Sequence, residues 1–195
     1  MTDYLNFTAE LKRKGIHLFS SLLPLSYFFY FNREQILIIS CTISMFFILA
    51  EVVRFRNLKA ERLFINVFHP LLRQSEIHCV TGATYFFIAA TICFFFFEKS
   101  VAIASVLVMA ISDSVAAIVG KAIPSVKIFE KTLAGSSAFL LTGLLIIHLM
   151  FTESGFAALI VMIPITFLEL LPLKINDNLL ISVSTGILLT MVVSS

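Results

Sequence analysis

The chain alternates long apolar runs with short polar connections along its whole length. A helix rises 1.5 Å per residue, so runs of this length can cross a hydrocarbon core about 30 Å thick, the shortest with help from flanking polar residues. The pattern therefore predicts about seven transmembrane helices, with approximate bounds 16–31, 35–53, 80–97, 101–119, 137–151, 156–172 and 177–194.

Composition excludes a water-soluble globule. Hydrophobic residues make up 59% of the 195 positions and charged residues 13%, with a mean hydropathy of +1.00. Soluble domains are about 45–50% apolar and about 25% charged. The predicted fold class is an all-α polytopic membrane protein, and residues 1–195 are expected to form a single integral-membrane catalytic domain. The three cysteines, without CxxC spacing, indicate neither a disulfide framework nor a metal cage.

The basic residues predict the orientation of the spans. Of the 14 lysines and arginines, 12 fall at residues 12–14, 54–73, 121–131 and 174, whereas Arg33 and Lys99 fall on the other side of the predicted bundle. The positive-inside rule then places the N-terminus in the cytoplasm and the C-terminus on the opposite side. Basic residues scattered between spans do not form a nucleic-acid surface, so no nucleic-acid partner is expected.

Acidic residues occur where an apolar helix makes them costly. Asp113 lies within a predicted span, at a cost of about 2.5–3.5 kcal/mol on insertion scales. Removing its charge in Asp113→Asn is therefore expected to leave insertion and folding intact. Ala116 and Gly120 share its helix face, which allows a ligand or another backbone to approach closely. Glu51 with Arg54 is either a functional pair or an interfacial ion pair. The cluster Asn176-Asp177-Asn178 is either functional or an ordinary helix N-cap.

Residues 120–136 contain a candidate phosphate site. Lys131 and Thr132 precede Gly135 and Ser136, where a predicted span begins and its first backbone amides are expected to be free. Amides, hydroxyls and a lysine at a helix N-terminus bind phosphate well. The spacing is not that of a Walker A loop, and a solvated basic loop is the alternative.

In chain order, these polar positions resemble the CTP-dependent lipid kinase family, which includes dolichol kinase, phytol kinase and the CTP-using diacylglycerol kinase and is distantly similar to phosphatidate cytidylyltransferase. The resemblance runs from about residue 12 to 180. The residues that carry it are Arg13-Lys14-x-x-His17, Glu51-x-x-Arg54, Arg73-x-x-Glu76 before Thr81-Gly82-Ala83-Thr84, Asp113-x-x-Ala116 to Gly120, Lys131-Thr132-x-x-Gly135-Ser136, Glu169 and Asp177-Asn178.

The resemblance implies a membrane lipid kinase that transfers the γ-phosphoryl group of CTP to a lipid alcohol at the cytoplasmic face. It implies Mg²⁺ or another divalent cation as cofactor, and a membrane lipid and CTP as partners; a homo-oligomer is compatible with it. The implied catalytic residues are Asp113, as base or metal ligand, and Lys131. The implied phosphate or nucleotide contacts are Lys131, Thr132, Gly135, Ser136, Lys121, Arg13, Lys14 and His17, the metal ligands Asp113, Asp177 and Glu169, and the supporting residues Glu51, Arg54, Arg73, Glu76, Asn178 and Gly120.

Two other functions compete with the kinase. Phosphatidate cytidylyltransferase is the alternative within the wider resemblance, but its His-Gly-Gly segment and its Asp-Arg and Asp pattern are missing from the sequence. An ion or small-solute transporter is the alternative from another class, because buried acids also form ion pathways. It would place polar residues through the outer halves of the spans, which are almost uncharged here.

The distribution of basic residues generates a topology prediction. Cysteines introduced at positions 60, 125 and 175 should react with an impermeant reagent only after cells are opened, and a cysteine at position 154 should react in intact cells. The measurement is labelling in a background that lacks Cys41, Cys79 and Cys93. Labelling of position 125 from outside would contradict a cytoplasmic site.

Overall fold

The computed structural model describes residues 2–68, 71–72, 74–152 and 155–193, and most of these residues are helical. The predicted all-α architecture is confirmed, with one small antiparallel hairpin added between Lys127 and Thr132. The α-helices are α1 (Thr2–Phe19), α2 (Leu22–Phe29), α3 (Arg33–Arg56), α4 (Leu58–Phe68), α5 (Gly82–Phe96), α6 (Lys99–Leu107), α7 (Asp113–Ala122), α8 (Leu133–Met150), α9 (Gly155–Leu170) and α10 (Asp177–Val193), and the strands are β1 (Lys127–Ile128) and β2 (Lys131–Thr132).

Three helices in the described part of the chain are long and apolar enough to cross a membrane. They are α3, the continuous helix Lys99–Ala122, and α8. The apolar window of Lys99–Ala122 is 78% buried inside the protein, compared with 22% for α3 and 28% for α8. The Lys99–Ala122 helix is therefore the centre of the bundle. The other two helices expose apolar side chains, such as Phe46 on α3 and Leu141 and Leu145 on α8.

The central helix contains a change of winding. A π-helical segment, Val108–Ser112, joins α6 to α7 directly before Asp113. Around this helix pack α5, α8 and α10, with α2 against α6 and α1 against α7. The side chains of Val108, Met109, Phe139 and Ile181 fill one side of the core, and those of Phe86 and Ile103 lie in the core on the other. Single-turn π segments often occur at functional sites.

The first predicted span, residues 16–31, is not one continuous helix. α1 ends at Phe19 and α2 begins at Leu22. Ser20 and Ser21 bond backbone carbonyls of the preceding turn through their hydroxyls, at 3.2 and 2.6 Å. Pro24 has no backbone N–H and fits best in the first turn of a helix, where that N–H would have no partner within the helix. A new helix therefore starts just before the proline.

The segment expected to be a loop between residues 54 and 79 is largely structured. α3 extends to Arg56, and α4 follows after the single residue Asn57. The Asn57 side chain accepts a hydrogen bond from the Lys59 amide, 2.9 Å away, as helix N-cap residues do. A short 3₁₀ helix, Gln74–Ile77, precedes α5.

Small residues allow α7 and α8 to cross closely, as the shared face of Ala116 and Gly120 indicated. A Cβ atom added at Gly135 would lie 2.9 Å from the Ala116 carbonyl oxygen and 3.3 Å from the Gly120 Cα. The approaching backbone on this face of α7 is therefore that of α8.

Gly135→Ala should lower the midpoint of thermal unfolding in detergent, because backbone atoms on α7 must move to admit the methyl group. Overpacking typically costs about 1–3 kcal/mol, so a fall of about 3 °C or more is expected. The exposed Cys41 and Cys79 are first replaced by alanine, and the readout is a thiol-reactive fluorogenic dye that reports exposure of the buried Cys93. The matched control is Gly15→Ala, where an added Cβ meets nothing within 4 Å. Equal midpoints in the two variants would show that the crossing tolerates side chains.

Candidate active site

The carboxylate of Asp113 is held by two residues of α1. Lys14 donates a hydrogen bond to Asp113 Oδ2, and both side chains are buried. The Nε2 atom of His17 lies 3.8 Å from the same oxygen and has no hydrogen-bond partner among the described residues. The His17 ring packs edge-on against Phe86, with centroids 5.2 Å apart. Positions 14 and 17 lie one turn apart on α1, so one helix face supplies both groups.

A second ionic cluster surrounds Lys131 at the end of the hairpin. Its Nζ lies 2.9 Å from Glu169 Oε1 and 3.1 Å from Asp177 Oδ2. Ser136 on α8 donates to the other Glu169 oxygen at 3.1 Å. Burial disfavours the charge on Lys131, but Asp177 and Glu169 outweigh that effect and raise its pKa above the usual value. Lys131 therefore stays protonated at neutral pH and joins the hairpin to α9 and α10.

Glu51 and Arg54 form a buried pair rather than one at the surface. Their side chains are 2.6 Å apart, and Arg54 is 2% exposed. Arg54 donates to the carbonyl oxygens of Glu76 and Cys79, while Glu51 accepts from the Thr81 amide at 2.8 Å and the Thr84 hydroxyl at 3.2 Å. This pair fixes the connection between the 3₁₀ helix and α5.

A fourth set of contacts ties α10 to the start of α5. Glu76 accepts from the Gly82 amide at 2.7 Å, and the Asn178 side chain donates to the Gly82 carbonyl at 2.6 Å. Asn176 accepts from the Asn178 amide at 3.0 Å, which is the ordinary N-cap role considered from the sequence. The start of α10 is thereby held beside Glu76.

Residues from each of these clusters line one cavity of about 430 Å³. Its wall combines polar and apolar side chains. The polar lining residues include Arg13, Lys14, His17, Glu51, Glu76, Asp113, Asn176, Asp177 and Asn178, and the apolar ones include Phe46, Phe47, Ala50, Phe64, Phe68, Leu71, Leu72 and Phe86. The cavity can therefore hold a molecule with a polar head and a hydrocarbon chain.

The expectation of free amides at the start of α8 is wrong. The Leu133 amide donates to the Val126 carbonyl at 2.9 Å, the Ala134 amide to Ser125 Oγ at 3.0 Å, and the Gly135 amide to Thr132 Oγ1 at 3.2 Å. The hairpin itself caps this helix, so the amide groups that the phosphate cradle required are already bonded. Thr132, Gly135 and Ser136 join α7, α8 and α9 in this arrangement.

The three predicted metal ligands do not form one cluster. Glu169 is 3% exposed and contacts Lys131 and Ser136, whereas Asp113 and Asp177 both line the cavity. Within the described ranges, no three histidine, cysteine, aspartate or glutamate side chains are grouped so that they could hold a metal ion. Each of the three carboxylates instead lies beside a lysine, because a buried carboxylate without a cation or hydrogen-bond donors would be unstable.

Of the remaining predicted site residues, Arg13 lines the cavity, Lys121 and Gly120 do not, and one lies outside the described residues. Lys121 reaches Glu10 Oε2 at 3.5 Å, and Arg13 pairs with the other oxygen of Glu10. Gly120 belongs to the helix crossing rather than to the cavity. Arg73 lies outside the described residues.

The apolar part of the cavity was missed from the sequence. Phe46 and Phe47 belong to a run that is apolar throughout, so no periodic signal separates a cavity wall from a lipid-facing surface. Phe64 and Phe68 were detectable, because four-residue spacing of aromatic residues next to Lys59 and Arg62 is typical of an amphipathic helix.

Comparisons with known proteins give one relative. No family model and no solved structure matches the chain. The uncharacterized protein RP860 of Rickettsia prowazekii (strain Madrid E) is 30% identical over 189 residues, which cover 92% of each of the two chains. Because this likeness extends over nearly the whole length of both proteins, the chain belongs to the same family as this rickettsial protein.

Proposed function

We propose that the protein is a membrane lipid kinase that transfers the γ-phosphoryl group of CTP to a lipid alcohol. The observation that carries the proposal is the amphipathic cavity, whose wall combines the buried Asp113–Lys14 pair and His17 with phenylalanine rings. A lipid alcohol likewise combines a polar group with a hydrocarbon chain. The choice of CTP rests on the resemblance of the sequence motifs to CTP-dependent lipid kinases.

The proposal includes seven membrane crossings, with the N-terminus and the cavity at the cytoplasmic face. The end of α1 and α2 together would make the first crossing, and α5, α9 and α10 would add to the three long helices. Arg33 and Lys99 support this orientation, since both line a shallow surface around Tyr27 at the start of α3 and α6. About 21 Å of helix separates Lys99 from Asp113.

The residues of the cavity divide the reaction between them. The acceptor hydroxyl oxygen forms a bond to the γ-phosphorus, the bond from that phosphorus to the β–γ bridging oxygen breaks, and CDP leaves. The hydroxyl proton is taken beside Asp113, whose Oδ2 atom lies 3.8 Å from His17 Nε2. Lys14 and Arg13 would contact phosphate oxygens, because phosphoryl transfer depends on positioning and charge neutralisation.

A magnesium ion fits this cavity as a companion of the nucleotide. Mg²⁺ usually takes one or two protein carboxylates and completes its shell with water and phosphate oxygens. Asp113 and Asp177 would hold it, because both line the cavity. Glu169 would instead keep Lys131 in place. When bound, the ion would neutralise charge on the phosphate groups.

Purified protein supplied with γ-labelled CTP, Mg²⁺ and a panel of polyprenols, phytol and diacylglycerol should transfer label to the organic phase for at least one of these lipids. α-Labelled CTP should leave the organic phase unlabelled, because a kinase moves only the terminal phosphoryl group. The control reaction contains phosphatidic acid in place of the alcohol. If α-label enters the lipid there and γ-label never does, the protein is a cytidylyltransferase.

Asp113→Asn should abolish most activity and also destabilise the protein, contrary to the expectation from the sequence alone. The substitution leaves the ammonium group of Lys14, which is 4% exposed, without its carboxylate. Breaking a buried pair typically costs about 3–5 kcal/mol, so the thermal midpoint measured with the Cys93 dye should fall.

The double variant Lys14→Met/Asp113→Asn provides the matched control. Removing both charges together should return the midpoint close to that of the parent, because no unpaired charge stays buried. Activity should remain lost, since the carboxylate is still absent. An active double variant would exclude a catalytic role for Asp113, and a single variant as stable as the parent would show that the pair does not stabilise the fold.

A further inference from the structure

Helix α4 has the surface pattern of a helix at a membrane–water interface. None of its residues is buried, and Leu63 and Val67 are 66% and 59% exposed. They are four residues apart and therefore lie one turn apart on one face, whereas Lys59, Arg62 and Asn66 follow one another at intervals of three and four residues and form a polar stripe beside that face. Such a helix lies in the plane of the interface with its apolar side in the acyl boundary and its basic side towards anionic headgroups.

The same helix forms a wall of the cavity. Phe64 and Phe68 both line it, with ring centroids 4.9 Å apart. The guanidinium group of Arg54 lies over the Phe64 ring, 4.7 Å from its centroid, and this contact joins α4 to the buried Glu51–Arg54 pair. α4 packs chiefly against α3, whose Phe46, Phe47 and Ala50 line the facing part of the cavity.

The cavity is therefore bounded on this side by residues that are themselves open to the surroundings. Phe46 is 68% exposed and Phe68 is 42% exposed, although both line the cavity. Val52 and Val53, near the end of α3, are also exposed. The exposed apolar surface of α3 therefore extends along the helix towards α4. The exposed apolar surface therefore adjoins the wall of the cavity.

We infer that α4 lies in the anionic membrane–water interface and that the hydrocarbon chain of the lipid alcohol reaches the cavity sideways from the bilayer, between α3 and α4. The hydrocarbon chain of the lipid would lie against Phe47, Phe64 and Phe68, with the hydroxyl group of the lipid towards Asp113. The identity of the lipid as an alcohol rests on the proposed function, but the position of α4 and the sideways route do not depend on phosphoryl transfer.

Photo-crosslinking tests the route without requiring catalysis. Benzophenone-phenylalanine replaces Phe64 in one variant and Leu141, an exposed residue of α8, in the control. Each variant is placed in nanodiscs of phosphatidylcholine and phosphatidylglycerol with a trace of tritiated phytol and no CTP, and is irradiated. Label should attach at position 64, and unlabelled phytol at about ten times its Kd should reduce it by about tenfold, because the competitor then occupies most of a saturable site. The small amount of label at position 141 should not respond to the competitor.

The outcomes separate this inference from the proposed function. Equal and non-competable labelling at positions 64 and 141 overturns the sideways route, even if the purified protein phosphorylates lipids. Competable labelling at position 64 supports the route, even if no γ-label is transferred from CTP.

Fluorescence quenching tests the position of α4. An environment-sensitive dye on a cysteine at position 63 should be quenched by nitroxide-labelled acyl chains, and a dye at position 62 should be quenched by a water-soluble agent instead. The parent cysteines Cys41 and Cys79, which are exposed, are first replaced by alanine. Quenching of both positions by the aqueous agent alone would place α4 in water and overturn the inference.

Discussion

The structure depends on the presence of one carboxylate in an apolar helix. Asp113 lies in the most deeply buried of the three long apolar helices of the described chain, where an unpaired charge would cost several kcal/mol. Its partner cannot come from the core helices, whose buried side chains are largely apolar. Lys14 of α1 supplies the positive charge, and α1 therefore has to pack against α7 with its basic face inward. That packing also brings His17 and Arg13 to the cavity.

The same constraint explains the other polar contacts around the cavity. Glu51 pairs with Arg54, and Glu169 and Asp177 share Lys131. Each of these acids contacts a base, and the Asp177 side chain, which shares Lys131 with Glu169, is 36% exposed, so buried charge is compensated locally rather than across the bundle. Local balance matters because interactions between charges become stronger as water is excluded. Each pair also fixes a helix end, since Arg54 holds the start of α5 and Lys131 holds the start of α10.

The sequence predicted the positions of the helices better than the contacts between them. Hydropathy located the apolar helices because burial in lipid or protein requires long apolar runs, and Asp113 was identified because a charge is costly there. Pairing was not predictable in the same way: Lys14 and Asp113 are 99 positions apart, and no local pattern links them. The break at residues 20–21 followed from Pro24 and two serines, a signal that a hydropathy window averages away. The capping of α8 by Ser125 and Thr132 required the hairpin, whose two-residue strands are too short to leave a periodic pattern.

The ion pairs also limit how a phosphate group could bind in the proposed reaction. Lys14 is held by Asp113, and Lys131 is held by two carboxylates, so neither ammonium group can contact phosphate without sharing or leaving its present partner. Lys14 is the residue better placed for such an exchange, because it lines the cavity and has one carboxylate partner in the described structure. Lys131 has two and is not among the residues of the cavity wall. An incoming phosphate at Lys14 would leave the Asp113 carboxylate without a cation, and this carboxylate would then be drawn towards the proton of a nearby hydroxyl group. The pairing that makes Asp113 tolerable in the ligand-free protein is thus the same pairing whose exchange would prepare it to act on an alcohol.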